Sequence, residues 1–133
     1  ASAPWTPLVK PLAESRLALI SSSGAYRRGQ IPFKPDKNDL TFREIAVETA
    51  PFDLLISHDY YDHKDAEKDI NCVFPLERLR ELAAEGFIGS LTPFHLTFMG
   101  RIFRKTQFLD EMIPAMIARL KAMEADLVLL VPA

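Results

Sequence analysis

Short apolar runs alternate with longer segments of helical periodicity along this chain. The runs at 16–20, 52–56 and 126–131 are short and continuous, which is typical of strands buried in a sheet. The segments 75–84 and 107–125 carry apolar residues at three- and four-residue spacing, which predicts amphipathic helices. This alternation favours an α/β fold, a layered domain with a mainly parallel sheet flanked by helices.

Proline and glycine set the expected boundaries of the two helices. Pro75 is pre-organised for the first position of the first helix, and Gly86 is a natural stop after it. Pro114 interrupts the second helix, so this helix either starts late, with Asp110 as its cap, or is kinked at the proline. The apolar residues of the second helix are expected to form one face: Leu109, Met112, Ile113, Met116, Ile117, Leu120 and Met123.

Three further segments have weaker patterns. Residues 1–12 are rich in proline and predict an extended arm with Trp5 as its anchor. Residues 40–47 form either a short strand or a capped turn, since a capping-box pattern overlaps with β-branched residues there. Residues 91–100 predict a loop or short strand that lines the interior.

The length of 133 residues suggests one domain, with about half of the residues hydrophobic. The apolar run 126–131 closes the chain, although a buried parallel strand is usually followed by a crossover helix. We therefore expect a single α/β domain over residues 1–133 that is truncated after its last strand or completed by a partner chain.

The charge balance limits the classes of partner that the chain is expected to bind. The chain has 16 basic and 18 acidic residues and a formal net charge of -2, which gives no sign of binding to nucleic acid or to an anionic membrane. It has no apolar stretch of the ~18 residues that a membrane span needs, and no signal-peptide pattern. The one cysteine excludes an internal disulfide, so we expect a reducing, cytoplasmic location.

The densest polar chemistry lies in residues 57–75, just after the predicted strand 52–56. In open α/β sheets ligands bind beyond the carboxyl ends of strands, so this stretch is the candidate site. The candidates for acid–base catalysis are His58, Tyr60, His63 and His95. The candidates for substrate binding are Ser22, Ser23, Asp59, Asp62 and Asn71.

Each of these candidates also has a structural interpretation. Ser22 and Ser23 precede a glycine, so they either offer backbone N–H groups to an anion or form a tight turn out of the first strand. His58 and His63 are spaced as in no strong metal motif, and we expect them to bond to neighbours rather than to hold a metal. Cys72 lies just before a helix, where a thiol can be reactive, but a buried structural cysteine is the favoured interpretation.

Several motifs, in order along the chain, resemble one family. They are Ser57-His-Asp-Tyr-Tyr-Asp-His63, Asp69-Ile-Asn-Cys-Val-Phe-Pro75, Gly86-x-Ile-Gly89 and His95-x-x-Phe-Met-Gly100. Together with the opening Pro4-Trp-Thr-Pro7 and the closing strand, they resemble the selenoprotein B family of the glycine, sarcosine, betaine and D-proline reductases. The resemblance extends from about Pro4 to Ala133.

The resemblance implies an oxidoreductase component that reductively cleaves the C–N bond of an amino acid or methylated amine. It also implies an oligomer with other reductase subunits, one of which can carry a pyruvoyl group, and a thioredoxin-like or dithiol electron donor. In the family, the selenocysteine or cysteine follows the strand that matches 126–131. The nucleophile is therefore expected just after Ala133, and no cofactor is expected within this chain. Cys72 does not match that position, and we expect the isolated chain to be inactive.

Two other functions remain open. The chain is alternatively a non-catalytic subunit that binds a small amine or serves as a scaffold for a partner, in which case it forms a stable complex without turnover. A metal-dependent enzyme, with ligands from His58, Asp59, Asp62, His63 and His95, is the weaker third interpretation.

Overall fold

The computed structural model describes residues 2–133, which fold into two sheets and a set of covering helices. The strands are β1 (Arg16–Ser21), β2 (Ala25–Arg27), β3 (Phe42–Ala46), β4 (Leu54–Ile56), β5 (Ser90–Leu91), β6 (Phe94–Phe98) and β7 (Leu127–Val131). The α-helices are α1 (Lys64–Lys68), α2 (Leu76–Ala84), α3 (Lys105–Gln107) and α4 (Ile113–Ala122). A π-helical turn, Phe108–Met112, joins α3 to α4. Short 3-10 turns lie at Leu12–Glu14, Pro35–Lys37, Pro51–Asp53 and Ile70–Cys72.

The main sheet is built around β1, which pairs in parallel with β5, β6 and β7. The start of β1 pairs with β5 and its end with β6, while β7 runs along Leu17–Ser21. Strand β3 adds an antiparallel edge next to β6. The sheet is therefore mainly parallel and flanked by helices, which confirms the predicted fold class.

Apolar side chains cover both faces of this sheet, because β1 is buried on both sides. Leu17 and Leu19 pack in one cluster with residues of α1 and α2, and Ile20 packs in a second cluster with Met112 and Met116. Since successive side chains of a strand point to opposite faces, α1 and α2 lie on one face and α4 lies on the other.

The predicted strands at both ends of the chain are confirmed as β1 and β7. However, β7 is not buried on both faces, because Leu129 is 37% exposed and Leu130 is 69% exposed. Among the described residues β7 pairs only with β1, so it forms an edge of the sheet. An apolar run therefore does not require a central strand.

The predicted buried strand at 52–56 is wrong in position and extent. Only Leu54–Ile56 is a strand, and it pairs antiparallel with β2 in a separate two-stranded sheet. Phe52 lies in a 3-10 turn with 77% of its surface exposed. Pro51 explains the difference, since it starts this turn and shortens the strand.

The first predicted helix is confirmed as α2, which begins one residue after Pro75. The predicted helix at 107–125 is also present, but it begins before the expected start, at Lys105, so Asp110 is not its cap. The chain accommodates Pro114 through the π-turn, in which the N–H of Ile113 donates to the carbonyl of Phe108. A π-turn widens the helix locally, which suits a position where a proline lacks its N–H group.

Two expected core positions of this helical segment are exposed. Leu109 is 59% exposed and Ile117 is 43% exposed, whereas Met112 and Met116 are buried. Leu109 lies within the π-turn, and Ile117 lies about 100° around α4 from the buried Met116, so neither side chain packs fully against the sheet. The expectation of a single apolar face is wrong at these two positions.

Residues 40–47 form a strand, β3, and the capped-turn alternative is wrong. Residues 91–100 contain β5 and β6 and line the interior as expected. The predicted anchor Trp5 is 83% exposed, so it does not fix the N-terminal arm against the core. Across residues 2–133, no helix combines the length and the apolar character that crossing a membrane requires.

Candidate functional site

The loops after β1 and β6 leave the sheet toward opposite faces. After β1, Ala25 packs in the apolar cluster that contains residues of α1 and α2. After β6, Ile102 packs against the apolar cluster on the other face, which contains Met116 of α4. In open α/β sheets, ligands bind where neighbouring loops diverge in this way at the carboxyl ends of the strands. This place in the fold is the candidate site.

Backbone hydrogen bonds fix the loops at this edge. The N–H of Gly100 donates to the carbonyl of Ser22 at 3.0 Å, and the N–H of Gly24 donates to the carbonyl of Phe98 at 2.9 Å. The end of β7 joins them, since the N–H of Ala133 donates to Ser22 Oγ at 3.1 Å. The carboxyl ends of three parallel strands therefore meet around Ser22.

His58 lies between two glycines of these loops and is 4% exposed. A Cβ on Gly24 would lie 3.0 Å from the His58 Cβ and 2.6 Å from the carbonyl oxygen of Ser57, so no side chain fits there. A Cβ on Gly100 would lie 3.6 Å from His58 Nε2 and 3.3 Å from the Ser22 carbonyl. The two glycines thus admit the imidazole, whose Nε2 faces the same small region as Ser22.

The hydrogen bonding of His58 sets its tautomer. Nδ1 accepts the N–H of Tyr60 at 3.1 Å, so in the neutral ring Nε2 carries the proton. Burial is the largest influence on this group and lowers the pKa of His58, while Asp59 opposes the shift and Arg101 adds to it. His58 is therefore a neutral donor near neutral pH, and the hydrogen bond from Tyr60 to Nδ1 leaves its Nε2–H free to donate.

Two tyrosines flank the imidazole edge-on. The Tyr61 ring lies 4.7 Å from the His58 ring, and its hydroxyl donates to the Ser23 carbonyl at 2.9 Å. Burial raises the pKa of Tyr61 to about 12, so this hydroxyl stays protonated and serves as a strut. Tyr60 lies 5.8 Å from His58 and donates its hydroxyl to the Pro35 carbonyl.

Arg101 is a site residue that the sequence did not single out. Its guanidinium carbon lies 3.6 Å from the centre of the Tyr60 ring, in cation–π geometry. Its φ of 60° is in the left-handed region, which costs a residue with a side chain about 1 kcal/mol. Strained backbone of this kind clusters at ligand sites. Its position directly after Gly100, just past β6, was the feature of the sequence that could have identified it as a candidate.

We call Ser22, His58, Tyr60, Gly100 and Arg101 the His58 cluster. It contains three of the predicted site residues: Ser22, His58 and Tyr60. Within the part of the chain that the structure describes, no carboxylate lies within 4 Å of the Arg101 guanidinium. The cluster therefore offers a hydrogen-bond donor and a cation that no internal anion neutralises.

The other predicted residues of the polar stretch lie around this cluster. His63 Nδ1 is 2.8 Å from Glu67 Oε1, and its ring contacts Tyr61 edge-on. Asp59 and Asp62 are exposed, and Asp62 accepts the N–H of Lys64 at the start of α1. Asp62 thus has a local structural partner.

Ser23 and Asn71 are held by structural hydrogen bonds. Ser23 Oγ is 2.9 Å from Ser21 Oγ and accepts the N–H of Ala25, all of it buried. The Asn71 side chain donates to Asp69 and Glu77 at the start of α2. These contacts satisfy side chains that the sequence assigned to substrate binding.

His95 lies in the core rather than in the His58 cluster. It is fully buried, and its Nδ1 accepts the N–H of Leu19 at 2.9 Å. Burial lowers the pKa of His95 to about 4, with a smaller contribution from Arg80. This imidazole therefore accepts a hydrogen bond from β1 at the point where the pairing of β1 passes from β5 to β6.

The expectation that Cys72 is buried is wrong, because its side chain is exposed. It lies in the 3-10 turn before α2, where the turn leaves it at the surface. Within residues 2–133, no three His, Cys, Asp or Glu side chains are grouped closely enough to hold a metal ion.

Comparison with known proteins adds two relatives. The chain is 37% identical to D-proline reductase subunit gamma of Acetoanaerobium sticklandii over 126 residues, which are 95% of this chain and 52% of that subunit. The chain resembles subunits of amino-acid reductases. It is also 29% identical to glycine reductase complex component B subunit gamma of Carboxydothermus hydrogenoformans over 105 residues, 73% of this chain and 23% of that protein.

These relatives support the resemblance to D-proline and glycine reductases that the sequence motifs indicate. The chain spans about half the length of the D-proline reductase subunit that it matches. No family model matches the chain. No solved structure matches it either.

Proposed function

We propose that this chain is part of a subunit of a cytoplasmic reductase complex that cleaves the C–N bond of an amino acid of the D-proline or glycine type. The single observation that carries the proposal is the 37% identity to D-proline reductase subunit gamma over nearly the whole chain. The His58 cluster supports it, since it combines a proton-bearing imidazole with an unneutralised cation at the edge where α/β sheets bind ligands.

The chemistry sets what such a site must supply. Replacing a C–N bond by a C–H and an N–H bond takes two electrons and two protons, which a dithiol donor supplies as it becomes a disulfide. A selenocysteine or cysteine after Ala133 supplies the nucleophile, and a pyruvoyl group on a partner subunit can hold the amine. The position of Ala133 supports this placement of the nucleophile. Its N–H donates to Ser22 Oγ, so a residue that follows Ala133 would lie beside the His58 cluster.

The residues of this chain then have separate roles. Arg101 binds the carboxylate of the amino acid, because a guanidinium matches a carboxylate in charge and geometry. Nε2–H of His58 donates a hydrogen bond to the nitrogen that leaves and stabilises the charge that develops on it, while the proton itself comes from the dithiol donor. Tyr60 holds Arg101 by its ring, and Tyr61 holds the loop of Ser23.

The presence of a nucleophile after Ala133 is tested by measuring the intact mass and the selenium content of the protein purified from its natural source. The proposal predicts a mass beyond 15.0 kDa with one selenium, or with a reactive cysteine past Ala133. A natural protein that matches these 133 residues in mass and lacks selenium would remove the nucleophile from this polypeptide. The non-catalytic role, binding or scaffolding, would then be favoured.

A further inference from the structure

A second cleft lies on the loops around β3 and shares no lining residue with the His58 cluster. It has a volume of about 730 Å³. Its walls come from residues 29–43 and from Arg104 and Gln107 at the start of the long helical segment. Four of its side chains are cationic and one is anionic: Lys34, Lys37, Arg43, Arg104 and Asp39.

The cations of this cleft are not neutralised internally. Within residues 2–133, no carboxylate oxygen lies within 4 Å of the charged nitrogens of Lys34, Lys37 or Arg104. The Arg43 guanidinium is held in place without a carboxylate, since it donates to the Ile31 carbonyl at 2.8 Å and lies 4.2 Å from the Phe33 ring centre. The cleft is thus a local excess of positive charge on a chain whose net charge is -2.

Asp39 does not cancel this excess at the cleft surface. Burial acts to raise the pKa of Asp39, but hydrogen bonds from Thr41 and from the N–H of Lys34 outweigh it, the charge of Arg43 adds a smaller contribution, and the pKa is lowered. The carboxylate therefore stays ionised but is turned onto its own loop, where it fixes the conformation that presents Lys34 and Lys37.

We propose that this cleft binds an acidic segment of a partner polypeptide. The cations favour carboxylates, and the apolar wall favours an extended chain over a single small anion. Ile31 and Leu40 line the cleft, and Ile31 is 72% exposed, so apolar surface is available beside the charges. A segment in which acidic and apolar residues alternate matches both kinds of wall.

The test uses the unmodified polypeptide and a fluorescein-labelled peptide of alternating glutamate and leucine. Its binding is measured by fluorescence anisotropy beside a counterpart with glutamine in place of glutamate. We expect the acidic peptide to bind at least about tenfold more tightly, and its binding to weaken as salt rises, because exposed charges are screened. Equal binding of the two peptides would overturn the proposal.

A matched pair of variants localises the binding. Lys34→Glu with Lys37→Glu reverses two cations inside the cleft, and Lys64→Glu with Lys121→Glu reverses two exposed lysines elsewhere. Both pairs change the net charge equally, so only the first should lower the affinity for the acidic peptide, by about tenfold or more. Equal losses from both pairs would show nonspecific attraction and contradict the proposal.

Inorganic phosphate provides the last arm of this experiment. It carries negative charge but has no apolar side chains to contact Ile31 and Leu40, so we expect it to displace the peptide only at concentrations where general screening acts. Displacement by phosphate at concentrations comparable to those of the peptide would show a site for small anions and would overturn the assignment to an acidic segment.

Discussion

His58 gives the most specific prediction at the scale of single residues. Its neutral ring carries the proton on Nε2, toward Ser22 and Gly100. In the complete reductase complex, His58→Ala should lower kcat by about 100-fold, the low end of the range for a lost hydrogen-bond donor to a developing charge. The measurement is steady-state turnover with a dithiol donor.

Two variants serve as checks on the His58 prediction. Asp62→Ala removes an exposed carboxylate of the same stretch and should change kcat by less than about twofold. Gly100→Ala places a methyl group 3.6 Å from His58 Nε2 and 3.3 Å from the Ser22 carbonyl, so it should lower turnover with little loss of stability. Wild-type kcat in His58→Ala would show that this imidazole takes no part in the reaction.

Arg101 is predicted to act on substrate affinity rather than on the chemical step. Arg101→Ala in the complete complex should raise KM for the amino acid by about tenfold or more, since a charge-assisted contact is lost, and should change kcat less. Arg101→Lys should recover part of the affinity, because it keeps the charge but not the planar fork. An unchanged KM in both variants would exclude Arg101 from the carboxylate site.

His95 controls how stability depends on pH. Its folded-state pKa of about 4 lies below the ordinary value of 6.5, so between these values the unfolded chain binds a proton that the folded chain does not. Stability is therefore lost as pH falls through this window, by up to about 3 kcal/mol from this group. His95→Asn keeps an acceptor for the Leu19 N–H without ionising, so it should flatten this dependence.

Chemical denaturation between these two pH values measures the effect of His95. His63→Asn is the matched control, because it removes a histidine that lies beside Glu67 and is partly exposed. The comparison separates the effect of the buried imidazole from that of removing any histidine. If His95→Asn loses stability as steeply as the wild type when the pH falls, the account of the buried neutral imidazole is wrong.

At the residue scale, the structure brings together only some of the side chains that the sequence proposed as one site. His58 and Tyr60 lie together at the carboxyl edge of the main sheet, and their part in ligand binding stays a prediction. His95 and Asn71 were predicted beside them, yet His95 Nδ1 accepts the N–H of Leu19 in the core and Asn71 accepts the N–H of Arg78 in α2. Spacing along a chain does not show which polar atoms are already satisfied, and this is why their roles could not be separated from sequence.

At the scale of elements, the rotation of α4 about its axis decides which of its side chains face the core. Met116 is 6% exposed and its neighbour Ile117 is 43% exposed. Met116→Ala should lower the free energy of unfolding by about 2–5 kcal/mol, because it leaves a cavity against the sheet. Ile117→Ala, at the next position, should cost less than about 1 kcal/mol.

Urea unfolding of the two variants beside the wild type measures this difference. Equal costs at the two positions would mean that α4 is rotated relative to the sheet. The expectation of one continuous apolar face missed the exposure of Leu109, because a period of 3.6 residues was assumed to hold through the π-turn.

The elements that the sequence predicted best are those with the longest and clearest patterns. Strand β1 and helix α2 were placed to within one residue of their ends. The run at 52–56 was misplaced, since a short apolar run does not distinguish a central strand from one arm of a hairpin. The carboxyl-edge argument still led to His58, because the loop that carries it packs against Gly24 at the end of β1.

At the scale of the whole molecule, several apolar side chains remain at the surface. Leu130 on the edge strand and Trp5 on the arm are 69% and 83% exposed. Exposed apolar side chains near an unpaired strand edge suit a polypeptide that has further contacts in an assembly. This agrees with the proposed role in a multi-subunit reductase, while the expectation of a single domain that is truncated after β7 stays a prediction.

The central claim is that this chain takes part in reductive C–N cleavage of an amino acid. The most direct measurement is mass-spectrometric quantification of the cleaved products when the complete complex, isolated through this polypeptide, is given D-proline or glycine and a dithiol. The account predicts product from one of these substrates, with one disulfide formed for each bond cleaved. A complex with all its subunits that oxidises no dithiol and cleaves neither substrate would contradict it.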